Sequence, residues 1–222
     1  MNKALAIFGQ QRFVDLSIHS FKHNIVDFED YDIFIHTWRD VNKDENLIYD
    51  LWKPKHIIIE EQIHFSDDPV ELIHKSMFYS TSKVFKLIKS SDKNYDAIIR
   101  TRFDVCLDEP KLDISKFDME SSIIYAPDVC HNPMVLSDFL MFGNSNNMEI
   151  FEDMFDNYED YKSQGVNVAS GEEIISKAMR DKSMIKGKTA HKVYLIREEG
   201  FGRIRNYWAA KNHEVVTKYL PS

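Results

Sequence analysis

The stretch DAIIRTRFDVCLDEP, Asp96 to Pro110, places Arg100, Arg102 and Asp104 at alternate positions. In an extended strand that spacing points all three side chains to one face, successive ones about 6.6 Å apart. Carboxylate oxygen is the usual ligand of magnesium or manganese, and the planar guanidinium suits phosphate. The trio therefore has the parts of a metal–diphosphate site, with Asp104 holding a divalent cation and Arg102 reaching a phosphate on the same cation. The competing reading is an ion pair on an edge strand. Against it, Ala97, Ile98 and Ile99 look buried on both faces, the charges come at the strand's end, and Asp108 and Glu109 extend an acidic turn before Pro110.

Two further acidic positions are candidates for proton transfer. Asp138 opens the apolar run SDFLMFGN. In SGEEIISKAM, Ser170 has the pattern of a helix N-cap with Glu173 as the second half of a capping box, which leaves Glu172 without a structural explanation. His19 and His23 are four apart on an expected helix, where a solvated face explains them without a metal. Cys106 and Cys130 form no CxxC and no disulfide framework, which fits a reducing compartment.

These residues need elements to position them. Ala4 to Phe8, Tyr31 to Trp38 and Lys55 to Gln62 are strand-like runs apolar on both faces, which suits a sheet covered by helices on both sides. Val14 to Asn24 has a helical pattern. Asp68 as N-cap, Pro69 at the first helical position and Glu71 three residues after the cap start a helix whose apolar positions are Val70, Ile73, Met77, Val84 and Ile88. That helix leads into the strand from Asp96. Ser121 to Asp128 and Ser137 to Asn144 are further strands, with helices expected around Met148 to Tyr158 and from Ser170. The βαβαβαβ alternation followed by less regular elements predicts an α/β fold with a mainly parallel, Rossmann-like mixed sheet flanked by helices. In such sheets ligands bind beyond the carboxyl ends of the strands, where Arg100, Arg102 and Asp104 fall.

Composition narrows the partners. The chain of 222 residues is 43% hydrophobic and 13% aromatic, enough for a large core, and no Gly/Ser/Pro-rich linker divides it, so a single domain is expected. A formal charge of −8 argues against a nucleic-acid partner. The apolar run in MNKALAIFGQQ is too short for a signal peptide or anchor, and no run approaches a membrane span, so the expected location is cytoplasmic.

The segment IIRTRFD, preceded by KSMFYSTSKVFKLI and followed by DFLMFGN, resembles the GT-A fold glycosyltransferases of the WavE lipopolysaccharide-synthesis type and the transferase domains with which large algal viruses glycosylate their capsids. The resemblance runs from the first strand to about Arg197. It implies a single GT-A-like domain, with a nucleotide-binding half over about 1–110 and an acceptor-binding half over about 111–222. The implied activity is that of a hexosyltransferase of polysaccharide biosynthesis, moving a sugar from a UDP- or GDP-sugar to a hydroxyl of a glycan or glycoconjugate.

Its site residues are implied in the same way. The first βα loop, Phe8, Gly9, Gln10, Gln11 and Arg12, would meet base and ribose, although a plain turn explains it too. Thr37, Trp38 and Arg39 end the second strand in the same crevice, where Trp38 is either a base-stacking or a core residue. Tyr79, Ser80 and Lys83 lie on the central helix, facing the nucleotide or packing on the sheet. GT-A enzymes commonly carry DxD where this chain has Arg102 and Asp104, so the divalent cation, manganese or magnesium, would rest on Asp104 with His191 as a late ligand. The base would be Asp138 or Glu172, with Glu173 in reserve. Arg197, Arg203 and Arg205 lie in the Gly-containing segment REEGFGRIRNYW, whose flexibility and charge suit a flap closing on diphosphate, the alternative being a solvated loop. The alternatives are a sugar-phosphate nucleotidyltransferase, against which no Gly-rich loop follows the first strand, and a non-catalytic nucleotide- or glycan-binding module.

Overall fold

The structure, a computed structural model, describes residues 1–127 and 137–196. Arg197, Arg203, Arg205 and Cys130 lie outside the described residues. The first half alternates β1 (Lys3–Gln10), α1 (Val14–Asn24), β2 (Tyr31–Trp38), α2 (Asn46–Trp52), β3 (His56–Glu60), α3 (Pro69–Lys89) and β4 (Ala97–Arg102). The second half comprises β5 (Val105–Asp108), β6 (Ile123–Pro127), β7 (Leu140–Asn144), α4 (Ser145–Met148), α5 (Tyr158–Ser163), α6 (Gly171–Asp181), β8 (Ile185–Thr189) and β9 (Lys192–Leu195).

Among the described residues, seven strands form one mixed sheet in the order β3-β2-β1-β4-β7-β6-β8, and β5 pairs with β9 in a separate ribbon. Strands β1 to β4 are mutually parallel, β7 runs against both β4 and β6, and β8 is parallel to β6. The protein is thus α/β with a mostly parallel sheet continuous across the two expected halves. Among the described residues no helix is long and apolar enough to cross a membrane.

Of the double-sided apolar runs, β1 and β2 are buried on both faces, whereas β3, at the edge of the sheet, is only half-buried. Leu5, Ile7, Ile33, Ile35 and Ile99 pack with Val14, Ile18 and Phe21 of α1 and Trp52 of α2. On the other face Ala4, Ala6, Phe8, Phe34 and Ile98 pack with Phe78, Val84, Phe85 and Ile88 of α3 and Ile174, Ile175 and Met179 of α6. The small Ala4 and Ala6 let α3 lie close on the middle of the sheet. The chain therefore winds from β1 to β3 with α1 and α2 on one face, then returns through α3 on the opposite face to place β4 on the far side of β1. The strand order reverses between β1 and β4, and a reversal of this kind leaves a crevice at the carboxyl ends of the two strands.

Three local expectations are revised. Asp104 is not in the same strand as Arg100 and Arg102: β4 ends at Arg102, Phe103 and Asp104 turn, and β5 leaves the main sheet for β9. Met148 to Tyr158 is not one helix but a short α4, a 3-10 turn over Glu149–Phe151 and further turns. Ile150, Phe151, Met154 and Tyr158 are still buried, so the apolar spacing reports contact, while Asp153, Asp156 and Asn157 favour turns. Val70 and Ile73 are 44% and 64% exposed, because the first turns of α3 do not pack on the sheet as the later ones do. The Asp68 cap forms, its carboxylate accepting the N–H groups of Val70 and Glu71 at 2.8 and 3.1 Å. The Glu71 carboxylate instead serves Ser66, Lys75 and Lys162.

Candidate active site at the carboxyl edge

The last register pair between β1 and β4 is Phe8 with Arg102, whereas β1 stays paired with β2 through Gly9–Thr37 and Gln10–Trp38. Past Phe8 the β4 side of β1 is the crevice, with Gly9 and Gln10 on one wall and Arg102 to Asp104 on the other.

Its floor is Arg100, which is fully buried. The guanidinium lies between the rings of Phe8 and Phe151, 4.1 and 4.6 Å from their centroids. NH1 donates to the Asp138 carbonyl at 2.9 Å and NH2 to Thr81 Oγ1 at 3.3 Å, while Nε has no partner. Burial pushes this group down to about 9, with Asp138 opposing and Arg102 adding to the shift. It remains a cation at neutral pH, set too deep to touch a ligand.

Arg102 lies above it. Its Nε and NH2 donate to the two Asp104 carboxylate oxygens at 2.8 and 2.7 Å, in a two-pronged pair whose side chains are 23% and 5% exposed. Burial alone would lower the Arg102 guanidinium, but Asp104 and Asp138 hold it above its ordinary value. The Ile196 N–H donates to the Asp104 carbonyl at 2.8 Å, so the turn that sets Asp104 is tied to the end of β9.

Asp138, which precedes β7, is 8% exposed, and its Oδ1 has no partner. Because β7 is antiparallel to β4, its first residues arrive at the edge where β1 and β4 finish. Oδ2 lies 3.6 Å from where a Cβ on Gly171 would stand, so Asp138 adjoins the start of α6. There Ser170 caps the helix, accepting the Glu173 N–H at 3.3 Å and donating its hydroxyl to Glu172 Oε2 at 3.1 Å. Glu172 therefore does have a structural engagement, contrary to the sequence expectation, and the Glu173 carboxylate accepts from Asn167 at 3.2 Å rather than closing a capping box. Of the three acids, Asp138 combines burial, an unpartnered oxygen and two arginines.

Among the described residues the expected donors do not suit a divalent cation. Both Asp104 oxygens serve Arg102, and the position two residues earlier carries a cation in place of a second carboxylate. His191 is held by the Lys111 carbonyl at 3.3 Å, at the Asp108 end of the β5–β9 ribbon. Asp104 adjoins Ile196, five residues further along that strand and about 17 Å away at strand rise. The two expected metal ligands cannot share an ion. Among the described residues no group of three or more His, Cys, Asp or Glu side chains could hold a metal.

No family model matches the chain, and no curated protein does.

The expected nucleotide residues divide into two sets. Gly9, Gln10, Arg12 and Arg102 border the crevice or solvent. Phe8, Gln11, Thr37, Trp38 and Arg100 are buried and turned inward. Gln11 Nε2 donates to the Trp38 carbonyl at 3.0 Å, and Trp38 stacks on Tyr79 with centroids 5.4 Å apart, so Trp38 is a core residue. Tyr79 also packs on Phe65 and Phe155 and carries the Lys83 ammonium 5.0 Å above its ring. Gly9 has φ +100°, with its N–H donated to Ser80 Oγ at 2.9 Å and its carbonyl accepting from Thr37 Oγ1 at 2.8 Å. A backbone that only glycine adopts readily is thus fixed from both sides.

Sequence reasoning missed the group behind Gly9. His36 Nε2 lies 2.8 Å from Glu60 Oε1 and Nδ1 lies 2.7 Å from Ser80 Oγ. Burial lowers the His36 pKa although Glu60 opposes, and Glu60 is held low by His36, Tyr79 and Lys83 against its own burial. An ionised Glu60 needs a donor, which Nε2 supplies, and the Ser80 hydroxyl also donates to the His36 carbonyl at 3.2 Å. A histidine inside the apolar run YDIFIHTW was the available signal.

A cavity of about 490 Å³ lies elsewhere, lined by Met1, Tyr95, Asp96, Glu120, Asn144 and Asn146. These residues belong to the amino ends of β1 and β4 and their neighbours, and no buried charged side chain converges there.

Proposed function

We propose that this protein is a GT-A-like glycosyltransferase that moves a sugar from a UDP- or GDP-sugar to a hydroxyl of a glycan or glycoconjugate. The observation that carries the reading is the pairing of Arg102 and Asp138 at the carboxyl ends of β4 and β1, close enough for Asp138 to raise the Arg102 pKa. A guanidinium suits the diphosphate of the donor, and a buried carboxylate with an unpartnered oxygen suits a hydroxyl that must lose its proton.

In an inverting displacement Asp138 takes the proton of the acceptor hydroxyl as that oxygen bonds to the anomeric carbon. The bond from that carbon to the diphosphate breaks, and the nucleoside diphosphate departs with the electron pair. Arg102 meets the developing charge, and Arg100 adds a fixed positive potential from below. The Gly9 backbone lets the nucleotide approach β1 closely.

The closed Arg102–Asp104 pair also suits a second reading, a module that binds nucleotide or glycan without turnover. Incubation with UDP- and GDP-sugars separates them: a transferase slowly releases free sugar and nucleoside diphosphate, and Asp138→Asn suppresses that release. Binding without release from any donor would favour the module, and neither binding nor release would remove the proposed function.

A further inference from the structure

We infer that Asp104 is a positioning residue for Arg102, and that the guanidinium so held takes the leaving diphosphate in place of a protein-bound divalent cation. The inference rests on the proposed transferase reading and specifies how its donor site handles charge.

Two parallel hydrogen bonds fix both the position and the plane of a guanidinium, which one contact cannot do. Here they consume Nε and one edge of NH2 and leave NH1 and the other NH2 hydrogen, a second fork of the kind that matches phosphate oxygens. The pair is also asymmetric in exposure, since Asp104 is nearly buried while Arg102 reaches solvent. The carboxylate is thus the buried member of the pair and the guanidinium the one within reach of solvent.

Using Asp104 as a metal ligand would undo this arrangement. The carboxylate would have to release Arg102, and the freed guanidinium would then stand beside a divalent cation with Arg100 close beneath. Three positive centres would then share a pocket with Asp138, the group required for proton transfer. Keeping the pair intact avoids that repulsion and leaves Asp138 to the acceptor. The Ile196 N–H bond to the Asp104 carbonyl holds the turn that aims the carboxylate, so its backing is set by the fold.

The test is calorimetric titration of the full chain with UDP and with GDP, in EDTA and in manganese chloride. The expected result is binding of one of them with the same affinity, within about twofold, under both conditions. Arg102→Ala and Asp104→Asn should each weaken it about tenfold or more in both buffers, and the double variant should bind no worse than Arg102→Ala alone, because Asp104 acts through Arg102. Arg102→Lys, which keeps the charge and loses the fork, should weaken binding severalfold and serves if Arg102→Ala does not fold. Binding that needs manganese, with the requirement abolished by Asp104→Asn, would overturn the inference and leave the transferase reading standing. Additive losses in the double variant would also overturn it. If neither nucleotide binds in either buffer, the inference and the proposed function fall together.

Discussion

His36 and Ser80 are joined ring to hydroxyl, Nδ1 to Oγ at 2.7 Å, and through Ser80 the imidazole holds the peptide N–H of Gly9. The chain of contacts runs from Glu60 at the end of β3 to the first residue of β1 beyond its pairing with β4. Burial, the largest influence, keeps the His36 pKa below its ordinary value, with Glu60 opposing.

A pH dependence of stability results. A histidine whose pKa is lower folded than unfolded takes up its proton preferentially in the unfolded chain. Its contribution is therefore complete above the unfolded value of about 6.5, is lost as pH falls from there toward the folded value, and levels off below it. His191, also lowered by burial, acts in the same direction. Melting temperature should decline between about pH 7.5 and 5.5, and His36→Gln should reduce the slope over that interval. Identical slopes for the two proteins would contradict the assignment.

Arg100 should prove structural. Arg100→Ala removes a buried guanidinium together with its contacts to Phe8 and Phe151, leaving a cavity and an unpaired Asp138 carbonyl, at a cost of about 3–5 kcal/mol. Arg100→Met fills much of the same slot without a charge to bury and should cost no more than ~1.5 kcal/mol. Urea denaturation of both variants tests this, and equal losses would indicate that the charge, not the packing, matters.

Gly9→Ala should destabilise by about 1–3 kcal/mol, the cost of holding a residue with a Cβ in a sparsely populated backbone region. No atom lies within 4 Å of the added Cβ, so the penalty is conformational, and the bonds to Ser80 and Thr37 resist relaxation. An unchanged denaturation midpoint would mean that the backbone relaxes freely.

For the chemistry, Asp138→Asn should lower turnover by about a hundredfold or more, the range for loss of a general base. Glu172→Gln should be much milder, because that carboxylate is already engaged by Ser170. Both are read as initial rates of donor hydrolysis and of transfer, and the reverse ranking would exchange the two roles.

The features legible in the sequence were local. The double-sided apolar runs gave β1 to β3, and the caps at Asp68 and Ser170 marked the starts of α3 and α6, because a cap is decided by residues within one turn of each other. The site was legible only in part. Arg102 and Asp104 stood out by spacing, but their closure on each other depends on a turn that breaks the strand, and that turn is held by Ile196, far along the chain. The inward roles of Trp38, Gln11 and Phe8 depend on which helix crosses which face of the sheet, which residue types alone do not specify. The same holds for His36, Ser80 and Glu60, contributed by β2, α3 and β3, whose adjacency exists only after the crossovers are made.

The reversed direction of β7 has a consequence for how the chain tolerates change. Asp138 is placed by the strand on its carboxyl side, through the ladder in which Leu140 to Asn144 pair with Thr101 to Ala97. Shifting β7 by one residue would therefore turn the acid away from the crevice and its neighbours inside out. The place of the acid is thus inherited from the pairing of β7 with β4, so a register slip in that ladder should cost the core and the candidate site together.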